Sequence, residues 1–188
     1  MCIRLLRTPL AWLALAVLAV GTAFGLFWFQ PWKLVTDTEV HETLTAVEES
    51  GRPSPTPGGA RTPAASAAAG PTVVSRGSFV SHEHETTGAA RIVRDAEGRH
   101  RLELVGLDTS NGPDLKVWLT DQPVRTGRAA WDVFDNGRYV PLGALKGNRG
   151  DQVYPIPAGT DLAGLTSVSI WCERFAVSFG AAPLDPAG

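Results

Sequence analysis

SVSIWCERFAVSF, Ser167 to Phe179, is the stretch that decides how this chain folds. Val168, Ile170 and Cys172 share one parity; Trp171, Phe175, Val177 and Phe179 share the other. Alternation of this kind marks strands, because successive side chains point to opposite faces of a sheet. One face stays buried through both halves only if an inserted residue or a tight turn falls near Glu173-Arg174. The stretch therefore reads as β structure that bends beside the only cysteine outside the first two positions.

The same texture extends outward. From Val73 on, short alternating runs are punctuated by turns: "GSFVSHEHE" and "ARIVRD" around "TTG", "RHRLELVGL" after "AEG", and "DLKVWLT" after "SNGP". "WDVF-DNG-RYVPLG" and "DQVYPIP" follow. Strands of about 5–8 residues separated by Gly, Asn and Pro predict an antiparallel β-sandwich or barrel-like domain over residues 73–185. Asn136-Gly137 is a strong hairpin dipeptide, because both positions tolerate positive φ. Leu115, Val117 and Leu119 form the more uniformly apolar face of their run, which predicts that they line the core with Trp118 on the reverse. The tripeptide Arg149-Gly150-Asp151 is assigned to a turn, as is Asp114, each carboxylate bonding nearby backbone amides.

Composition narrows the function. Residues 71–188 hold 12 basic and 14 acidic side chains, so no basic face is available to capture nucleic acid. G-x-S-x-G, H-E-x-x-H and C-x-x-C-H are all absent, which leaves hydrolase and c-type haem chemistry without support and enzyme status open.

Ahead of the β text lies "PLAWLALAVLAVGTAFGLFWF", with no charge between Arg7 and Lys33. About 20 apolar residues at roughly 1.5 Å each cross a hydrocarbon core, so residues 9–30 are expected to be a single transmembrane helix. Arg4 and Arg7 precede it and Asp37, Glu39 and Glu42 follow, which places residues 1–8 in the cytoplasm and the remainder outside the cell membrane. A cleaved signal peptide is the rival, but its apolar run is normally about 7–15 residues. Residues 31–49 form a juxtamembrane segment in which Val40, Leu44 and Val47 predict a short amphipathic helix. Residues 50–72, with five prolines and six alanines, are expected to be a disordered linker. Extended at about 3 Å per residue, that linker would hold the domain up to roughly 70 Å off the bilayer.

This topology separates Cys2 from Cys172, leaving Cys172 as the odd cysteine in an oxidising compartment. It reads in three ways: a packed core thiol, a redox thiol whose pKa the neighbouring Arg174 lowers, or a ligand. His82 and His84, at period two on one strand, would supply copper or zinc with two nitrogens beside the thiolate. The only methionine is Met1, so the usual axial ligand of blue copper is missing, and Gly88 stands where a cupin would place Glu. Trp171 and His84 join Cys172 as the candidate set around a prosthetic group.

The text from about Gly77 to Leu184 resembles the DM-thirteen domain family, found beside DOMON and b-type cytochrome modules. The resemblance is carried by "GSF" at Gly77, "NGPDLKVWL" from Asn111, "LGALKGNRGDQVYPIP" from Leu142 and "SVSIWCERFAVSFGAAPL" from Ser167. It implies a β-rich domain and an electron-transfer role for the cysteine at position 172, as a free thiol or as holder of a group such as haem. Position 84 lies close to where the family tends to carry a histidine. The single span and Pro/Ala-rich tether are similar to bacterial members. Neither a DOMON module nor a haem-bearing bundle is present in this chain, so the resemblance implies a separate redox partner protein. The alternative is a non-catalytic surface binding or assembly module in which Cys172 is structural.

Overall fold

The computed structural model describes residues 9–47 and 70–187. Residues 1–8, expected to be cytoplasmic, and 50–69 of the expected linker lie outside the described residues. The α-helix Pro9–Phe29 (α1) has no buried residue and is apolar and long enough to cross a membrane. Among the described residues, everything else that is regular is β structure, apart from 3₁₀ turns at Pro31–Val35 and Arg128–Ala130.

The described residues contribute eleven strands to two sheets. They are β1 (Glu39–His41), β2 (Thr72–Ser78), β3 (Val80–Ser81), β4 (Thr86–Arg94), β5 (His100–Thr109), β6 (Leu115–Thr120), β7 (Tyr139–Ala144), β8 (Arg149–Pro155), β9 (Ser167–Cys172), β10 (Val177–Pro183) and β11 (Asp185–Pro186). One sheet runs β1-β8-β5-β4-β2-β11, the other β3-β10-β9-β6-β7. All pairings are antiparallel except β1 with β8. The expected all-β sandwich is what forms. Its core lies between the sheets, where Ala90, Ile92, Leu102, Leu104 and Leu107 meet Leu115, Val117, Leu119, Val168, Ile170 and Cys172.

The phase of β6 is as expected: Leu115, Val117 and Leu119 face this core, and Trp118 belongs to a second cluster on the reverse with Phe134, Trp171 and Ala181. The parity conflict in Ser167–Phe179 is resolved by a turn over residues 173–176, with Ala176 at φ 50°. That turn lets Val177 and Phe179 pack against the core that Ile170 and Cys172 already enter. A bulge follows between Ser178 and Gly180.

Three local expectations are corrected. Residues 131–138 are turns rather than a strand, and Asn136-Gly137 joins no two-residue hairpin. Asp121 and Arg138 close a long loop between β6 and β7, because Phe134 is drawn under that loop onto Trp171. Arg149-Gly150-Asp151 opens a strand. Gly150 sits at φ 93°, and a Cβ there would lie 2.1 Å from the Val40 carbonyl oxygen, so glycine is what lets β1 approach. Asp151 does hold a backbone amide, that of Gly106, whereas the Asp114 carboxylate pairs with Lys116.

The third correction has the largest consequence. Residues 36–45 form no amphipathic helix; they extend and join the sheet. Thr38 donates its N–H to Asn148 at 2.7 Å, Glu42 pairs with Lys146 at 2.7 Å, and Thr45 donates N–H to the Glu103 carboxylate at 2.9 Å. Glu103 is fully buried and is neutralised by Arg91 at 2.7 Å, and Arg91 also reaches the Thr45 carbonyl. Helical periodicity in Val40, Leu44 and Val47 is overridden because extended backbone can satisfy an open sheet edge and a buried carboxylate together. The chain thus enters the domain before the linker, and the linker is no spacer between α1 and the sandwich.

Candidate functional site

Strand β9 carries the predicted cysteine in the middle of its sheet, between β10 and β6. Cys172 pairs across with Val177 and Leu115, and its side chain has no exposure. Burial pushes the thiol pKa up, while the backbone amides of Phe175, Arg174 and Asp114 pull it part of the way back. Arg174, expected to lower that pKa as a cation, points elsewhere: its guanidinium lies 5.2 Å from the Trp28 ring centre and bonds the Phe27 and Trp28 carbonyls at the end of α1. The resting group is therefore an enclosed, protonated thiol.

Trp171, one residue earlier, projects from the opposite face. There the rings of Tyr139, Trp118 and Trp171 stack in series, at 4.2 Å with 12° between planes and then 5.1 Å with 26°. Phe134 meets Trp171 edge-on at 6.4 Å, and His82 stacks on Phe134 at 5.6 Å. Tyr139 is 41% exposed, whereas Trp171 is 1% exposed, so the stack runs from solvent to the buried strand that bears the thiol.

The two histidines do not share a strand, since β3 ends at Ser81 and residues 82–84 form a bend. His82 is buried. Its Nε2 faces the Arg125 carbonyl at 3.1 Å and must donate, so Nδ1 accepts from the Ser178 hydroxyl at 2.9 Å. Both ring nitrogens are thereby committed, and burial holds the pKa below the usual histidine value despite the Arg125 carbonyl. His82 lies on the Trp171 side of the sheet, across it from Cys172. His84 lies against Phe179, ring centres 4.0 Å apart, and lines a cavity of about 200 Å³ with Phe29, Lys33, Asn111 and Phe175.

The set Cys172, His84 and Trp171 is thus distributed over a core, an end cavity and a reverse face. Among the described residues, no three His, Cys, Asp or Glu side chains converge as a metal site would require. A haem or a copper ion does not fit the surroundings of Cys172, which are an apolar, closed core with no histidine beside the thiol. A cavity of about 530 Å³ lies at the other end of the sandwich, between Asp95–Arg101 and Pro155–Thr160, remote from the thiol.

What sequence reading missed is the ring series. Trp118 and Trp171 were visible on two strand-like runs, but Phe134 reaches them from the long β6–β7 loop, and Tyr139 from the start of β7, whose register against β6 that loop sets. A family model described as Electron transfer DM13 matches residues 78–184, more than half of the chain. No curated protein and no solved structure matches it.

Proposed function

Because the chain belongs to the Electron transfer DM13 family, we propose that it is a membrane-anchored, extracytoplasmic electron-transfer protein whose redox element is Cys172 with the ring stack behind it. The observation that carries this reading is the Tyr139–Trp118–Trp171 series, which ends one residue from the thiol. Stacked rings at such separations pass an electron without moving atoms, which suits a group that solvent does not reach. A raised thiol pKa disfavours thiolate nucleophilicity, so Cys172 acts by giving up an electron together with its proton. The electron passes through the stack to a one-electron oxidised partner protein, and the proton leaves to solvent past the adjoining turn, where Glu173, Phe175 and Ala176 are exposed; a one-electron reductant and a proton from solvent restore the thiol. The length and apolarity of α1 support anchoring, and the charge asymmetry around it supports an outside location for the residues after 33.

A second reading is favoured by one observation: Cys172 is an unexposed member of the main core cluster. On that reading the domain is a surface binding or assembly module and the cysteine is packing. Photo-oxidation of the full chain by a flash-excited ruthenium complex separates the two. The electron-transfer reading expects a tyrosyl or tryptophanyl radical whose decay slows in Cys172→Ser and whose yield falls in Trp118→Leu. Identical transients in wild type and Cys172→Ser, with both proteins folded, would leave the cysteine as packing.

A further inference from the structure

α1 presents no buried residue and is apolar and long enough to cross a membrane; read as a span, it places whatever touches its last turn at bilayer depth. Two residues of the β9–β10 turn do so. Phe175, 43% exposed, stacks on Phe29 with ring centres 5.9 Å apart. Arg174 lies over Trp28 and bonds the Phe27 and Trp28 carbonyls, which the helix end leaves without intrahelical partners.

The covalent connection points the same way. Only residues 30–35 separate α1 from Thr36, whose carbonyl accepts from Asn111 at 3.1 Å, and Asp37 and Thr38 are held by Asn148 and Arg149. Five of the six connecting residues form the 3₁₀ segment Pro31–Val35, which advances only about 2 Å per residue. That segment therefore keeps the sandwich within about 10 Å of the helix end. Exposed aromatics gather at this end, with Trp28 at 42%, Phe29 at 60% and Trp32 at 49% alongside Phe175. Aromatic rings and cations at the rim of an apolar span are what the headgroup layer accommodates.

We propose that the end of the sandwich bearing the Glu173–Ala176 turn is seated on the membrane surface, with Phe175 in the headgroup layer and the lipid bilayer as its binding partner. The seat rests on reading α1 as a retained span. It places the closed end of the Cys172 strand against the bilayer and the loops at Asp95–Arg101 and Pro155–Thr160 in water.

Nitroxide labels on the full chain, reconstituted in vesicles of phosphatidylethanolamine and phosphatidylglycerol, test it. Cysteines are introduced singly in a Cys2→Ser background as Leu18→Cys, Glu173→Cys, Phe175→Cys and Ala158→Cys, with the unsubstituted background as control for Cys172. Collision with oxygen is compared with collision with a water-soluble nickel chelate. Label 18 should be shielded from nickel, labels 173 and 175 at interfacial depth, and label 158 fully aqueous. A shielded label 18 with 173 and 175 as aqueous as 158 would overturn the seat while leaving the span intact. A label 18 that is aqueous, or lost by cleavage, would remove the span and the seat with it. Retaining Phe175 in the Glu173→Cys variant guards against loss of the seat through substitution of its own anchor.

Discussion

Replacing Glu103 by Gln tests whether residues before the linker belong to the domain. The side chain keeps its volume but loses its charge, in a position with no exposure. In the native protein one carboxylate oxygen accepts from the Thr45 N–H and hydroxyl, and the other from Arg91 Nε at 2.8 Å and Nη2 at 2.7 Å. A glutamine satisfies one side and turns an NH₂ donor toward the other, leaving Arg91 without its counter-charge. Removing one partner of a buried pair typically costs about 3–5 kcal/mol; Arg91 is 20% exposed and can partly rehydrate, so the lower end is expected. At roughly 2–4 °C per kcal/mol for a domain of this size, the melting temperature of the full chain in detergent should fall by at least about 6 °C. Thr45→Val removes one hydrogen bond to a charged acceptor and should cost about 1.5–3 kcal/mol. In the double variant the two losses should fall short of additive by about 0.5 kcal/mol or more, because the groups share a bond. Circular dichroism melts of the four proteins measure all three quantities. A Thr45→Val melt identical to wild type, or strict additivity, would mean that residues 36–45 are not seated in the sheet and that the short connection to α1 is wrong.

Other outcomes are equally direct. Leu119→Ala, at a fully buried position of β6, should destabilise by about 2–5 kcal/mol in urea titrations with an unchanged slope. His82 is held neutral by burial, so its contribution to stability is present above the unfolded histidine pKa and is lost as pH falls through the lowered folded value; His82→Gln should flatten the fall in melting temperature as pH drops below about 6.5. Burial pushes Tyr154 up to about 12, so its contribution is complete below pH 10 and is lost as pH rises toward 12; Tyr154→Phe should remove a decline of about 1.4 kcal/mol per pH unit across that window, read by alkaline melts. Cys172 should resist iodoacetamide in the folded protein at pH 8 and react on addition of denaturant; alkylation of the native domain at the unfolded rate would contradict its burial.

The fold was legible where periodicity and burial coincide. Leu115, Val117 and Leu119 alternate because one face of β6 meets the opposing sheet, and the break in Ser167–Phe179 marks a real turn. It was not legible where distant groups compete for a segment. Val40, Leu44 and Val47 have helical spacing, yet Gly150 and Glu103, more than fifty residues away, offer extended backbone better partners. "WDVF" has strand alternation, yet Phe134 is drawn beneath Trp118 and Trp171, and only a loop can carry it there. For the site, the cysteine and its tryptophan were readable as a pair, but their placement on opposite faces of one strand separates thiol from rings. The pairing of His82 with His84 failed because one period-two spacing does not make a strand: Ser178 and Arg125 capture the first histidine, and Phe179 the second.

Burial of Cys172 restricts its chemistry more sharply than its identity does. Sulfenic acid formation and thiol exchange need a thiolate that an oxidant or a disulfide can touch, and here neither the charge state nor the access is provided. Electron loss through the stack needs no contact between sulfur and the oxidant, and only a proton has to pass the exposed Glu173–Ala176 turn. The cation that would have favoured a thiolate, Arg174, is instead spent on the end of α1, so the proton remains on sulfur across the physiological range. Oxidation of a protonated thiol to a neutral radical moves one proton with one electron, and its potential should then fall by about 59 mV per pH unit for as long as the thiol stays protonated. Protein-film voltammetry of the full chain in a supported bilayer measures that slope directly. Oxidation of Tyr139 also releases a proton, so the slope alone does not separate the two: a wave that survives in Cys172→Ser, whatever its slope, would assign the electron to the Tyr139–Trp118–Trp171 stack alone, and a wave lost in Cys172→Ser with the stated slope would place it on sulfur.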